Sequence, residues 1–565
     1  MSAPHKTSPP MNSPKLTRHH ALALAAFVAV SAHAQAVPPG AGDTLRDLRR
    51  DTPVAPREAT AALQVPADAD TGADLQQRFH VNAVRVEGNQ RIATAQLQPL
   101  VDGLAGKDVS LGELRAAARA ITEMYRASGF VVARAFVPAQ RLDDGVVTVS
   151  VLEGSLHAST VQNRSRVRQE TLDAIVAAQA LDGQVIRSAP TDRTLLLLAD
   201  LPGVGAVNGL LKPGEAVGTS DLMIPVEPGK DREGDVSADN YGNRYTGTYR
   251  LNGHVDLLSP LHRGDRLSLR GTVTDLNLVY GRAAYDLPAN DNGLRAGVAV
   301  SSSRYQLGQE FKSLDADGTA NTLGAYALAP IQRSLLSNVW ASGAVEQRWL
   351  SDHAGSSGTT TKKNAATGTV TLYGDVADAI GGGAINTWSA SAVGGHLDIR
   401  TPAARNADQA GPQANGNYLK VLGSATRLQA LTADTSAFVA VSGQRASKNL
   451  DSSEKFVLGG LYGVRAYPQG EGAGDDGWLA SVELRHTLAG VAQASVFYDA
   501  GHTRYEHVRY ATGSSGESLR GYGVGLAGAW RDFNAHAVVA WRDTQKAVTA
   551  PDRHPRFWLS AGWSF

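Results

Sequence analysis

The last 330 or so residues alternate apolar and polar positions in one stretch after another. In "WLASVELR", residues 478–485, the even-numbered side chains are apolar, and Ser481, Glu483 and Arg485 occupy the other face. A period of two is typical of β-strands whose two faces meet different surroundings. The pattern therefore predicts one of two structures: a half-buried soluble sheet, or a membrane barrel with a lipid-facing outside and a wet lumen.

Three features favour a transmembrane β-barrel of about 16 antiparallel strands over residues 231–565. This segment divides into roughly sixteen units of ~20 residues, each long enough for a ~10-residue strand and a loop. Aromatic residues cluster near the ends of the expected strands, where interfacial girdles form. The sequence stops inside a strand, "RFWLSAGWSF", which places Phe557, Trp563 and Phe565 on one face. A soluble sheet would expose a large apolar patch there, so we expect this face to contact lipid.

Two α+β modules precede the expected barrel, at residues 77–156 and 157–230. The first contains a helical stretch, "SLGELRAAARAITEMYRASG", in which Ser110 and Glu113 form a capping box and Gly129 suits the C-terminal cap. The second repeats the order of strand, helices, strand and strand. Each module should leave a sheet edge and a sheet–helix groove open, a usual way to hold an extended peptide.

The N-terminal 76 residues read as an export signal and a linker. Residues 1–36 combine a basic start, an apolar run and small residues, so we expect a signal peptide cleaved after Ala34 or Ala36, with translation starting at Met1 or Met11. The apolar run is too short for a membrane span, which needs ~20 residues. Residues 37–76 are expected to form a linker, in which residues 42–51 are a candidate short helix or simply a solvated tail.

Composition and motifs give little support to an enzyme or a cofactor protein. Lys and Arg balance Asp and Glu at 54 each, so no global basic field favours nucleic acid, and the absence of cysteine excludes thiol chemistry. "GVGLAG", residues 523–528, lies inside a strand pattern with no following helix, so it fails as a dinucleotide motif. No metal site or cofactor is expected. Glu471, Asp475 and Asp476 are expected to be a solvated rim.

One long glycine-rich segment stands out among the strands, at about residues 446–477. It contains "YGVRAYPQGEGAGDDG", and with its approaches it runs about 30 residues, so each arm would reach roughly 40 Å when extended. That is enough to fold back through an apolar band ~25 Å tall. In the next strand, "QASVFYDAG" points Asp499 to the lumen. Pairing of Arg465 with Asp499 is one prediction, and a disordered insertion is the alternative.

Taken together, these segments resemble the outer-membrane transporters of two-partner secretion, the haemolysin secretion/activation family. The modules resemble POTRA domains, with "YRASGFVVARAFVP" in the first and "KPGEAVGTSDLMIPV" in the second. "GGLYGVRAYPQGEGAGDDGWLASVEL" resembles the family's sixth extracellular loop, and "FYDAG" resembles its F-x-D-x-G strand motif. The resemblance covers essentially the whole mature chain.

The resemblance implies a role for each matched residue. Arg465 would form a salt bridge with Asp499 and hold the loop in the lumen, and the short helix would plug the pore. The residues expected around this contact are Val464, Tyr467, Phe497 and Gly501. Ala466 departs from the glycine of the wider superfamily, which puts backbone angles that need glycine in question. Phe557, Trp563 and Phe565 would form the C-terminal signal that the barrel-insertion machinery reads.

The function implied is an outer-membrane pore that secretes one exoprotein of adhesin or haemolysin type. The POTRA domains, in the periplasm, would capture the unfolded exoprotein through its N-terminal secretion domain. The expected partners are this exoprotein, outer-membrane lipid and the insertion machinery, without nucleic acid. The alternatives are a barrel-assembly factor, which typically has more POTRA domains, and a passive porin or receptor, which has none.

Overall fold

The computed structural model describes residues 38–48, 61–65, 77–142, 144–488 and 490–565. The expected signal peptide lies outside these residues, as does most of the expected linker. The N-terminal part contains a helix, α1 (Ala41–Leu48), and a four-residue strand, β1 (Ala61–Gln64). Among the described residues, no helix has the length and apolarity needed to span a bilayer.

The first α+β module has a three-stranded sheet packed against one long helix. Ser110 caps this helix, accepting from the backbone N–H of Glu113, whose carboxylate accepts from the Ser110 N–H in return. Gly129 follows with φ of +86°, a conformation that favours glycine. The elements are β2 (Arg78–Val81), β3 (Ala83–Glu87), α2 (Thr94–Leu97), α3 (Pro99–Asp102), β4 (Lys107–Ser110), α4 (Leu111–Ala127), β5 (Arg134–Phe136) and β6 (Val146–Leu152).

The second module repeats this order, and its first strand begins two residues before the expected boundary. The elements are β7 (Ser155–Asn163), α5 (Gln169–Ala178), α6 (Ser188–Ala199), β8 (Val204–Pro213) and β9 (Thr219–Pro228). Its sheet has the order β1-β8-β9-β7, so a strand from the expected linker lies at the edge of β8. The sequence did not predict this strand, because four residues carry too little alternation to be recognised.

Sixteen antiparallel strands close into one barrel, which confirms the expected fold class. The first eight are β10 (Arg232–Asp239), β11 (Arg250–Leu258), β12 (Arg266–Thr274), β13 (Val279–Pro288), β14 (Arg295–Gln306), β15 (Ala316–Gln332), β16 (Ser337–Ala354) and β17 (Thr359–Asp378). The next strands are β18 (Ala384–Ile399), β19 (Gly416–Ala430) and β20 (Thr435–Ala446), with a further helix, α7 (Pro402–Ala410), between β18 and β19. Two short strands of a loop, β21 (Phe456–Val457) and β22 (Ala473–Gly474), then precede β23 (Asp476–Leu488), β24 (Ala492–Arg504), β25 (Gly516–Trp530), β26 (Phe533–Arg542) and β27 (Arg556–Ser564).

The two faces of the barrel wall differ as the alternation predicted. In β23, Val482 and Leu484 are 52% and 47% exposed, whereas Glu483 and Arg485 are 8% and 9% exposed. Apolar side chains on the outer face and buried charges on the inner face reverse the arrangement of a soluble protein. The barrel closes where residues 235–239 of β10 pair with residues 560–564 of β27.

The second module contacts the barrel through the turns at one end. Arg333, in the turn between β15 and β16, donates from Nε and Nη2 to the two carboxylate oxygens of Asp200 at 2.8 and 2.9 Å. The backbone N–H of Arg168 donates to the carbonyl of His262, in the turn between β11 and β12. Burial raises the pKa of the Asp200 carboxyl, and the Arg333 guanidinium acts against that shift. These turns therefore mark the end of the barrel that faces the two modules.

Candidate gate in the barrel lumen

The long segment between β20 and β23, residues 447–475, is called loop six here, and it folds back inside the barrel. Its strands β21 and β22 pair with each other and turn its tip toward the wall. Val464 and Tyr467 are fully buried, in one apolar cluster with inward side chains of the wall such as Phe497 and Trp558. Because the loop is folded and its tip is buried, the alternative prediction of a disordered insertion is wrong.

Arg465, at the loop tip, makes a bidentate ion pair with Asp499 of β24. Arg465 Nε and Nη2 lie 2.8 and 2.6 Å from the two carboxylate oxygens, and the Arg465 backbone N–H donates to the same carboxylate at 3.1 Å. The side chains of Arg465 and Asp499 are 10% and 0% exposed. Two parallel N–H···O bonds fix both distance and orientation, so the tip has one position against β24.

Several further groups complete the arginine site, and of these only Phe497 was expected beside the contact. Arg465 Nη1 lies 2.5 Å from Glu483 Oε1, and Nη2 donates to Ser481 Oγ at 3.0 Å. The guanidinium carbon lies 3.4 Å from the centroid of the Phe497 ring, a cation–π contact. Trp558 Nε1 donates to the Arg465 carbonyl at 2.7 Å. The alternation of the strands could have identified Ser481 and Glu483, because it places their side chains on the inner face of β23, and the side chain of Asp499 is on the inner face of β24.

The other residues of the tip are held by different parts of the barrel. The Tyr467 hydroxyl donates to the Gln545 carbonyl at 2.7 Å and lies 2.8 Å from Thr544 Oγ1, both in the loop after β26. The Val464 N–H donates to the Leu458 carbonyl within loop six at 2.6 Å. The tip is thus attached both to the wall strand β24 and to the loop after β26.

Ala466 does not need the backbone freedom of glycine. Its backbone φ is not positive, so an L-residue fits without strain, and the residue is only 4% exposed. Room for its methyl comes from Gly521 of β25, where an added Cβ would lie 2.5 Å from Ala466 Cβ. Gly501 does the same for another residue of the loop, since its added Cβ would lie 2.5 Å from Leu458 Cδ2.

Replacing Gly521 with alanine is expected to lower the unfolding temperature of the detergent-solubilised barrel by a few degrees. Overpacking costs roughly 1–3 kcal/mol, and the new Cβ would meet both the Ala466 methyl and the Trp541 carbonyl oxygen, the latter at 2.9 Å. Adding Ala466→Gly should recover part of the loss. Gly253→Ala is the matched control, because no atom lies within 4 Å of its added Cβ. Equal unfolding temperatures for the Gly521 and Gly253 variants would contradict the packing argument.

The helix α1 lies in the lumen beside loop six. Its Ala41 N–H donates to Asp352 Oδ1 of β16 at 2.7 Å. On its other side, Arg46 Nη1 donates to the Ser452 carbonyl at 2.5 Å, and Ser452 Oγ donates to Asp43 at 3.0 Å. Loop six therefore contacts both the helix and the wall, and both elements lie inside the barrel.

The expected solvated rim of Glu471, Asp475 and Asp476 is wrong. Glu471 and Asp475 have no exposed surface, and Asp476 is 6% exposed. Glu471 accepts from the backbone N–H groups of Val548 and Thr549 at 2.8 and 3.0 Å. Because the loop turns inward, Glu471 and Asp475 become buried anchors that attach loop six to its neighbours.

The expected insertion signal lies on the outside of the last strand. Phe557, Trp563 and Phe565 are 55%, 43% and 36% exposed, on the lipid-facing side. The Phe565 N–H donates to the Gly234 carbonyl at 3.0 Å and so extends the ladder to the first strand. Recognition of this strand by insertion machinery stays a prediction.

Comparisons with known proteins agree with this architecture. Residues 79–154 match the family model of the ShlB-type POTRA domain, and residues 218–528 match that of the haemolysin secretion/activation protein ShlB/FhaC/HecB. The chain is 28% identical over 494 residues to the heme/hemopexin transporter protein HuxB of Haemophilus influenzae, with 86% of each chain covered. It is 24% identical over 515 residues to the outer membrane transporter CdiB of Dickeya dadantii, covering 88% of this chain and 87% of CdiB.

Solved structures show the same fold. CdiB from Escherichia coli superposes with a TM-score of 0.67 at 19% identity, over 90% of this chain and 94% of CdiB. BamA from Haemophilus ducreyi lacking POTRA domains 1–3 has a TM-score of 0.50 at 12% identity, over 86% of this chain and 100% of the other. The family model spans more than half of the chain, with its matched region running from the second module through most of the barrel. The chain therefore belongs to the ShlB/FhaC/HecB haemolysin secretion/activation family, the outer-membrane transporters of two-partner secretion.

Proposed function

We propose that this chain moves one unfolded exoprotein from the periplasm through its own lumen to the cell surface. The observation that carries the proposal is that α1 and loop six both lie in the lumen and are held to the wall by hydrogen bonds and ion pairs to its inward side chains. Elements held in this way can leave without unfolding the wall. The POTRA domains would present the exoprotein as an extended segment at the periplasmic end.

Two further roles are weighed against this proposal. The first is a barrel-assembly factor. The likeness of this chain to BamA, at a TM-score of 0.50 and 12% identity, concerns the fold alone and gives this role no support. A passive porin would need an open lumen, and here Arg465 holds loop six across it. A barrel-assembly factor would typically carry more POTRA domains than the two expected here, and a passive porin would carry none.

The test is co-expression with a large exoprotein that carries an N-terminal secretion domain and is encoded in the same genome, in a Gram-negative host that lacks both proteins. We expect the exoprotein at the cell surface or in the medium when the chain is present, and in the periplasm when it is absent. An assembly factor would instead change the amounts of other outer-membrane proteins. A porin would raise uptake of small solutes and leave the exoprotein in the periplasm, and either result would overturn the proposal.

A further inference from the structure

The outer face of the barrel wall changes from apolar to polar along strands β14–β18, toward the end away from the two modules. On β14 the outward side chains run from Val298 and Val300 to Ser302 and then Arg304, and all but the first two are polar. Ser302 Oγ donates to Asn321 Oδ1 of β15 at 2.7 Å, and both residues are exposed. A polar pair on the lipid-facing side of the wall marks the border where the apolar band ends.

The register of the strands aligns basic residues just beyond this border. The backbone N–H of Arg400, directly after β18, donates to the carbonyl of Lys362 at 2.8 Å. Neighbouring strands lie ~4.8 Å apart, so Arg304 and Lys362, which are three strands apart, are separated by ~14 Å. The basic row is the set of residues that the register brings to this level, each beside the next: Arg304, Thr319, Ser351, Lys362 and Arg400.

Positive charge exceeds negative charge around the basic row. Asp398 is shared by two arginines, with Arg400 Nη1 at 2.9 Å and Arg405 Nη2 at 2.6 Å from its carboxylate oxygens. Asp317 of β15 is the second carboxylate on this part of the described outer face. The other two cations of the row, on β14 and β17, are exposed. Four cations therefore share this surface with two carboxylates, so the surface is suited to an anion.

An exposed tryptophan shows the height of the basic row relative to the lipid. Trp349 of β16 is 43% exposed and in register with Asn321 of the border. It precedes Ser351 of the basic row by two residues on the same face, which is ~7 Å along the strand. Tryptophans on membrane proteins lie where the apolar core meets the headgroups. The basic row therefore lies at the height of the headgroups, where the anions are lipid phosphates.

We propose that the basic row binds a phosphorylated lipid of the outer leaflet, with one phosphate on Arg304 and a second on Lys362 and Arg400. The two positions are ~14 Å apart by the strand spacing, so they fit a headgroup with two separated phosphates, as in lipid A. A lipid with a single phosphate would reach only one of them. Arginine makes strong charge-assisted hydrogen bonds to phosphate. Because the site is on the outside of the wall, it does not depend on transport through the lumen.

The test is native mass spectrometry of the full-length protein, released from a neutral detergent and titrated with lipid A. Arg304→Gln/Lys362→Gln is expected to bind lipid A about tenfold more weakly than the unaltered protein, because each phosphate position loses a charge-assisted contact. Arg263→Gln/Arg531→Gln is the matched control. It removes the same charge from two exposed arginines in turns at the end that faces the modules, and it should bind lipid A as the unaltered protein does.

Two comparison ligands separate a two-phosphate site from general attraction to lipid. Lipid A without its phosphates and phosphatidylglycerol, which has one phosphate, should bind the unaltered protein and both double variants weakly and equally. All four substitutions change exposed side chains, and the heat-dependent gel mobility of the barrel checks that each variant is folded. Equal affinity of the two double variants for lipid A would overturn the inference. Binding of phosphatidylglycerol to the unaltered protein as tightly as lipid A would also overturn it.

Discussion

Replacing Arg465 with alanine is expected to abolish secretion of the exoprotein while the barrel remains inserted in the outer membrane. The substitution removes both side-chain bonds to Asp499 and leaves that carboxylate buried without the guanidinium, whereas Glu483 keeps its pair with Arg485. Leaving one member of a buried pair uncompensated costs roughly 3–5 kcal/mol, which is more than a hundredfold in the population of the held loop. The wall strands keep their backbone ladders. The measurements are exoprotein in the medium and folded barrel in the membrane fraction.

The controls separate the position of the loop from the loss of a charge. Asp499→Ala should have the same effect, and Arg465→Lys an intermediate one, because an ammonium cannot make the two parallel bonds. Arg427→Ala removes another arginine of the barrel, one that pairs with Asp378 and has no contact with loop six, and should secrete normally. Normal secretion by both the Arg465→Ala and Asp499→Ala variants would rule out a role for this pair in transport.

Reversing the charge of Asp200 is expected to reduce secretion about a hundredfold. Asp200→Arg places a guanidinium against Arg333, which is 7% exposed and also donates to Asn338. Like charges in a buried contact cost several kcal/mol, so the second module should leave the periplasmic turns. An exoprotein captured by the modules would then no longer be held at the mouth of the pore. Secretion and protease accessibility of the junction between module and barrel are the readouts.

The reciprocal change tests whether the contact itself matters. Arg333→Asp alone should also fail, and the double variant Asp200→Arg/Arg333→Asp should regain part of the activity because the pair is restored in reverse. Arg164→Glu is the matched control on the same module, since its pair with Glu227 is largely exposed and such pairs contribute little. A double variant no better than either single one would show that the ion pair is not what joins module and barrel.

Much of the fold followed from local pattern. Alternation along "WLASVELR" separates the lipid face from the lumen correctly, because each strand of a barrel repeats the same two environments. The capping box of Ser110 and Glu113 likewise marked the start of α4. The pairing of Arg465 with Asp499 needed more, since residues 34 positions apart meet through a loop whose path no local pattern describes. The inward position of Asp499 made the pairing one of two predictions, the family resemblance implied it, and the structure places the two side chains together.

The missed features depend on tertiary packing. Glu471 and Asp475 lie among glycines and look solvated in sequence, yet the inward turn of loop six buries them. Trp558 belongs to the inward face of a strand whose other face carries the aromatic residues expected at the lipid surface. The strand β1 has four residues and depends on Gly209 of a distant strand for its place. None of these could be derived without the geometry of the partner surface.

The barrel strands differ in length, and exposed tryptophans beside the longest of them indicate where the lipid bilayer lies. The strand β17 has 20 residues, whereas β10 has 8. Trp349, 43% exposed, is in register with Asn364 of β17, and Trp388, 36% exposed, is in register with Gly374. Between these two levels β17 advances ten residues, which at ~3.3 Å per residue and a tilt of about 40° is a height of about 25 Å.

That height equals the thickness of the apolar band of an outer-membrane barrel. From the level of Trp349 to the start of β17, the stretch "TTTKKN", residues 359–364, is polar on both faces. The side of the barrel with the long strands therefore projects into the water outside the cell. A protein leaving the pore would meet long strands on that side and short strands on the opposite side.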